Sequence, residues 1–154
     1  MNIVLVEPKI PQNTGNIGRL CAATGSRLHL VGELGFSTDD KYLKRAGLDY
    51  WKLLDVTYHK DFEAFEKTRA AGNMYLLTTK GERFYNEASF APDDYLVFGS
   101  ETVGLSEEIR SKYSENCLRI PIIDEARSLN LGNCVGILLF EGLRQCGFPH
   151  INTN

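Results

Sequence analysis

The sequence predicts an α/β fold: one domain with a mostly parallel sheet and helices on both faces. Two observations carry this. Short apolar runs of strand length alternate with segments of helical spacing along all 154 residues. In addition, residues 119–133 read as a short apolar strand stopped by Pro121, a polar loop, and a long apolar helix opening at Ser128–Asn130. Such a junction places loop amides, hydroxyls and a helix N-terminus at the end of a sheet, where α/β proteins bind ligands.

The elements follow in order. Residues 3–6 are a compact apolar strand, closed by Pro8 and Pro11. Residues 15–23 read as a helix, with Ile17, Leu20, Cys21 and Thr24 at helical spacing and Asn13 or Thr14 as its cap. Strands are expected at residues 28–31 and 53–58, with a short basic helix over 39–46 between them. Residues 61–70 form an amphipathic helix, and residues 74–77 and 95–98 are further buried strands. Ser106 caps a helix whose first turn carries Glu107 and Glu108, both favoured at the positive end of a helix dipole. After a last strand at 118–120, the final helix runs from about Asn130 to Gln145. Its stripe is Leu131, Cys134, Val135, Leu138 and Gly142, but Ile137 and Phe140 fall outside it. A helix apolar on more than one face is either core or part of a subunit interface.

A chain of this length buries roughly two-thirds of its unfolded surface as one domain without covalent staples. Its 43% hydrophobic and 24% charged residues are ordinary for a globular protein. Glu7 and Pro8 interrupt the opening apolar run, so no secretion signal is read. The longest apolar stretch is far short of the ~20 residues that span a bilayer. A cytoplasmic protein without membrane contact is the expectation. Cys21, Cys117, Cys134 and Cys146 lie singly in apolar segments, with no CxxC pair and no metal-ligand spacing. They read as reduced core residues, and no metal is expected. The net charge of −3 does not itself favour nucleic acid, although residues 1–60 hold eight Lys/Arg against six Asp/Glu.

Three loops hold the chemistry-bearing residues. In the first, residues 11–19, Gly15 and Gly18 permit close approach, and Arg19 lies near the mouth of the site. Without the first glycine of G-x-G-x-x-G, it is no dinucleotide fingerprint. The second, residues 96–105, empties a buried strand into a loop with Gly99, Glu101 and Gly104; the glycines would let a flat base or ribose lie on the backbone, and Glu101 could hold a ribose hydroxyl or a cationic group. The third is the opening stretch, where Ser128 and Asn130 also serve as ordinary helix caps.

Together these loops carry a resemblance. N-x-G-x-x-x-R at Asn13–Arg19, F-G-x-E-x-x-G-L at Phe98–Leu105 and R-I-P…S-L-N-L at Arg119–Leu131 resemble the SPOUT methyltransferases, within them the TrmH-like 2′-O-ribose methyltransferases. The short length and the segment from Arg45 to Tyr50 resemble the TrmL-like subgroup. The resemblance implies a C-terminal trefoil knot, a homodimer with sites at the subunit interface, and S-adenosylmethionine as cofactor. It implies methylation of the wobble ribose (position 34, cytidine or modified uridine) of leucine tRNAs. Leu77, Gly99, Ile120, Ser128, Leu129 and Asn130 are carried over as cofactor-binding, and Arg19 as catalytic, either as base or as a bidentate phosphate anchor. Gly132 and Phe140 depart from the Ser and Tyr that relatives often have there. For the tRNA anticodon stem-loop, the expected contacts are Asn13, Glu101, Lys41, Lys44 and Arg45, with Tyr50 available to stack on bases and Trp51 in the core. Methylation of ribosomal RNA, or a non-catalytic nucleotide- or RNA-binding module of the same fold, are the rival readings.

Overall fold

A computed structural model of the chain describes residues 1–37, 50–51, 53–149 and 151. Among them are seven strands: β1 (Asn2–Val6), β2 (Arg27–Val31), β3 (Val56–His59), β4 (Met74–Leu77), β5 (Arg83–Phe84), β6 (Tyr95–Phe98) and β7 (Cys117–Arg119). Four α-helices accompany them: α1 (Pro11–Thr24), α2 (Phe62–Thr68), α3 (Glu107–Lys112) and α4 (Leu131–Gln145). The strands form one sheet in the order β3-β2-β1-β6-β4-β7-β5, and every ladder in it is parallel. The expected basic helix, with Lys41, Lys44 and Arg45, lies outside the described residues.

Two cores arise from the period-two alternation of strand side chains. Ile3 and Leu5 of β1 pair with Leu96 and Phe98 of β6 and face one side. There they meet Ile17 and Cys21 of α1 and Val135, Leu138, Leu139 and Leu143 of α4. Val4 and Val6 face the other side with Val31, Leu76 and Val97, against Phe65 of α2 and Ile109 of α3. A strand buried on both faces has no polar positions to spare, which is why β1, β4 and β6 read as continuous apolar runs. Each fully buried Leu or Ile stabilises by ~1.5–3 kcal/mol. The four core residues of α4 therefore outweigh the ~1 kcal/mol of its cap in docking that helix.

Helix ends differ from the local expectation at the start of α1 and at Ser128, which does not cap α4. Helix α1 starts at Pro11, whose fixed φ suits the first helical position, and ends at left-handed Gly25 (φ 65°). Its N-cap position is Ile10, with no side-chain cap; Asn13 and Thr14 lie inside the helix and are buried. Ser106 accepts from the Ile109 N–H and Asn130 from that of Gly132, as expected, and Asp61 accepts from the Ala64 N–H. All four cysteines are free, and burial pushes the Cys21 thiol up to about 12. No helix among the described residues is long and apolar enough to cross a membrane.

Beneath the sheet, His29 Nδ1 lies 3.0 Å from His59 Nε2, with both rings against Phe65. Burial first, and then the neighbouring imidazole, lower the His29 pKa to about 4; burial lowers that of His59. An unfolded histidine titrates near 6.5, so between these values the unfolded chain binds more protons than the folded one. This contribution to stability is complete above about pH 6.5 and is lost as pH falls towards 4. Urea midpoints measured from pH 4 to 7 should rise with pH, and His29→Phe should flatten the rise; an equally steep profile in the variant contradicts the assignment.

Candidate active site

The chain leaves β1 towards β2 and β3, then fills the other side of β1 with β6, β4 and β7. This reversal of direction is a switch point, and the carboxyl ends of the strands beside it border a crevice. The segment from Glu7 to Ile10, with α1, departs from β1, and Gly99–Leu105 departs from β6. Leu77 ends β4, and the 120–130 loop leaves β7. The three motif loops therefore share one edge of the sheet.

A hydrogen-bonded clasp joins them. Glu101 accepts from the backbone N–H groups of Lys9 (2.8 Å) and Ile10 (3.2 Å) and from Asn13 Nδ2 (3.0 Å). The Asn13 carbonyl oxygen accepts in turn from Asn130 Nδ2 (3.0 Å), while Asn130 Oδ1 caps α4 through the Gly132 N–H (2.8 Å). The carboxylate thus holds the segment leading into α1 from a distant loop, near the positive end of that helix's dipole. Asn13 has no free capping role because both ends of its amide are spent on the clasp. Glu101 and Asn13, expected to touch substrate, are held by partners within the protein.

The loop that carries Glu101 folds tightly on itself. A Cβ on Gly99 would stand 2.1 Å from the Gly104 carbonyl carbon and 2.2 Å from the Leu105 nitrogen. Gly104 takes φ +70°, and its N–H donates to the Ser100 carbonyl at 2.9 Å. The glycines were expected to admit a flat ligand; the backbone lying against Gly99 is that of Gly104.

The remaining expected residues fall around this clasp. Leu77 and Ile120 are half-buried at adjacent strand ends and pack on the core shared by α1 and α4. Ser128 and Leu129 precede the capping Asn130 and are exposed, so Ser128 is no helix cap. Leu129 and Asn130 line a groove of about 590 Å³ between α1 and α4, with Asn16, Leu20, Gly136 and Ile137. Arg19 is exposed on α1, its guanidinium carbon 4.8 Å from the centre of the Tyr50 ring. Trp51 is half-buried against the core, as expected. Lys41, Lys44 and Arg45 lie outside the described residues. Sequence reasoning missed the Lys9 and Ile10 amides, which no side-chain pattern marks, and the pairing of Arg19 with Tyr50.

The chain is similar to known proteins over nearly its whole length. The model of the SpoU rRNA Methylase family matches residues 1–140. A tRNA (cytidine(34)-2′-O)-methyltransferase of Saccharophagus degradans is 51% identical over 148 residues, covering 96% of each chain. A solved structure described as giving insights into the 2-OH methylation of C/U34 on tRNA superposes with a TM-score of 0.90. It is 42% identical and covers 94% of both chains. An AdoMet-bound rRNA methyltransferase from Sinorhizobium meliloti has a TM-score of 0.83 and 28% identity, over 93% of this chain and 55% of its own.

The clasp predicts two stability effects, read by urea denaturation. Glu101→Gln turns one acceptor into a donor among N–H groups and should cost about 1–3 kcal/mol. Gly99→Ala forces the turn apart and should cost more than about 3 kcal/mol. Wild-type stability in the Glu101 variant would contradict the clasp.

Proposed function

The chain belongs to the SpoU rRNA methylase family, and from that premise we propose that it transfers a methyl group from S-adenosylmethionine to the ribose 2′-oxygen of nucleotide 34 in tRNA. The observation that carries this reading is the near-full-length similarity to a tRNA (cytidine(34)-2′-O)-methyltransferase, at 51% identity. A site assembled from the three motif loops is what that similarity leads one to expect. The rival of ribosomal RNA as substrate is disfavoured, since the rRNA enzyme compared above is 28% identical and only 55% of its chain is covered.

The residues present fit the cofactor. Leu77, Ile120 and part-exposed Leu129 offer apolar walls for adenine. Ile120 lies one residue past the end of β7, so its main-chain groups stand beyond the strand ladder, suited to reading a base edge. Ser128 and Asn130 supply polar atoms on the same loop, and Gly99 borders the site from β6. When bound, S-adenosylmethionine supplies a methyl already activated by its sulfonium. The protein is left with holding the ribose in line and easing loss of the hydroxyl proton.

Arg19 is the residue placed for that second task. A guanidinium is a planar fork of N–H donors matched to phosphate oxygens rather than a proton acceptor, so Arg19 acts as a bidentate anchor of the phosphate beside the target ribose and polarises the hydroxyl. Phe140, with no hydroxyl, offers no alternative at its position. Leucine tRNAs are the proposed isoacceptors, supported by the resemblance of the segment ending at Tyr50. The same resemblance supports a trefoil-knotted C-terminal part in one domain, and a cytoplasmic setting follows from tRNA as substrate. A homodimer is supported by the groove between α1 and α4 and by Phe140, 47% exposed on α4.

Transfer of labelled methyl groups to total tRNA, with ribosomal RNA in parallel and the product nucleotide mapped, tests the reaction. Label at nucleotide 34 of leucine tRNAs is expected; label in ribosomal RNA alone overturns it. Arg19→Ala should lower the rate about 100-fold or more with cofactor affinity unchanged; full activity would remove Arg19 from the mechanism. Ile137→Glu should convert a dimer into a monomer in sedimentation, and an unchanged dimer would move the interface elsewhere.

A further inference from the structure

Arg19 must be held still while keeping its N–H donors free for a phosphate. A carboxylate would hold it by occupying those donors. Among the described residues no carboxylate pairs with Arg19; the Tyr50 ring meets its guanidinium instead, at 4.8 Å from carbon to ring centre. A cation over an aromatic face is attracted by the ring quadrupole. That contact sets the cation over the face of the ring, and among the described residues no protein acceptor occupies its N–H groups.

The pairing follows from how α1 is built one residue earlier. Gly18 is buried, and a Cβ there would lie 3.0 Å from Trp51 Cζ3 and 3.2 Å from Leu54 Cδ2. The missing side chain therefore seats Trp51 directly on the helix, and Trp51 and Leu54 both pack on the core. The Leu53 N–H donates to the Tyr50 carbonyl at 2.9 Å, closing the turn that joins these residues. With Trp51 fixed over Gly18, the preceding residue is brought to the residue after Gly18. Tyr50 is 38% exposed, so the pair sits at the rim rather than in the core.

We propose that Tyr50 is a positioning residue for Arg19: its ring orients the guanidinium towards the substrate phosphate by face contact, rather than stacking on a nucleobase. This rests on the reading of Arg19 given above. The two roles separate kinetically. A residue that orients Arg19 acts on the reacting complex and lowers kcat when removed, whereas a residue that stacks on tRNA raises KM.

The experiment compares Tyr50→Phe, Tyr50→Leu and a series with successively fluorinated phenylalanines at position 50, assayed for methyl transfer to tRNA. Tyr50→Phe should stay within about 2-fold of wild type, and Tyr50→Leu should lower kcat about 5-fold with KM for tRNA and thermal midpoint little changed. Fluorination withdraws charge from the ring face, so kcat should fall stepwise along the series at nearly constant shape. A rise in KM for tRNA with kcat unchanged, or a flat fluorine series, overturns the proposal. Arginine side-chain resonances of the protein without RNA give a second readout. The Arg19 signals should be shifted by the ring current and move to solvent-like values in Tyr50→Leu; unshifted signals overturn the contact. If wild type leaves nucleotide 34 unmethylated, the functional reading fails, and the resonances still decide whether Tyr50 holds Arg19.

Discussion

The Glu101 carboxylate is the interaction on which the rest of this site depends. It lies on a loop after β6, yet it closes the start of α1 and, through Asn13, the start of α4. Two helices that share the sheet's main core are thereby tied at their N-termini to a third loop. A charged acceptor on N–H donors is about twice as strong as a neutral pair, and here it also faces a helix dipole. Burial of Val135, Leu138, Leu139 and Leu143 holds α4 on the sheet. The clasp sets where that helix begins, and so where Ser128, Leu129 and Asn130 stand relative to the strand ends.

Backbone geometry makes the clasp possible. Glu101 reaches α1 only because its loop turns back at once, and that turn tolerates no side chain at Gly99. Gly18 plays a parallel part on the other flank of α1, where its bare backbone seats Trp51 and brings Tyr50 to Arg19. Both glycines matter for what packs against them within the chain. The functional side chains borrow their positions from these close approaches.

Much of the architecture was legible in the sequence, for identifiable reasons. Strands β4 and β6 match the expected bounds to the residue, because strands buried on both faces leave unbroken apolar runs between polar borders. The helices on both faces, the Ser106 cap and the core placement of Trp51 also follow local rules. Strand β5 was missed because two residues, Arg83 and Phe84, show no periodicity. Helix α1 begins four residues before its expected start at Gly15. Local logic offered Asn13 or Thr14 as a cap, while the Asn13 amide donates to a carboxylate 88 positions away. The three motif loops could be read as one site by resemblance, but their joining bonds span 88 and 117 positions. No pattern along a sequence displays such pairings.

Joined in this way, the strand ends, the clasp and Arg19 form the site proposed for ribose methylation, and the central claim concerns a single atom of a single nucleotide. The most direct measurement is mass spectrometry of tRNA from cells whose copy of this gene has been deleted and then restored. The account predicts that the 2′-O-methyl group at nucleotide 34 disappears on deletion and returns with the wild-type chain but not with Arg19→Ala. Retention of that methyl group in the deleted strain would contradict it.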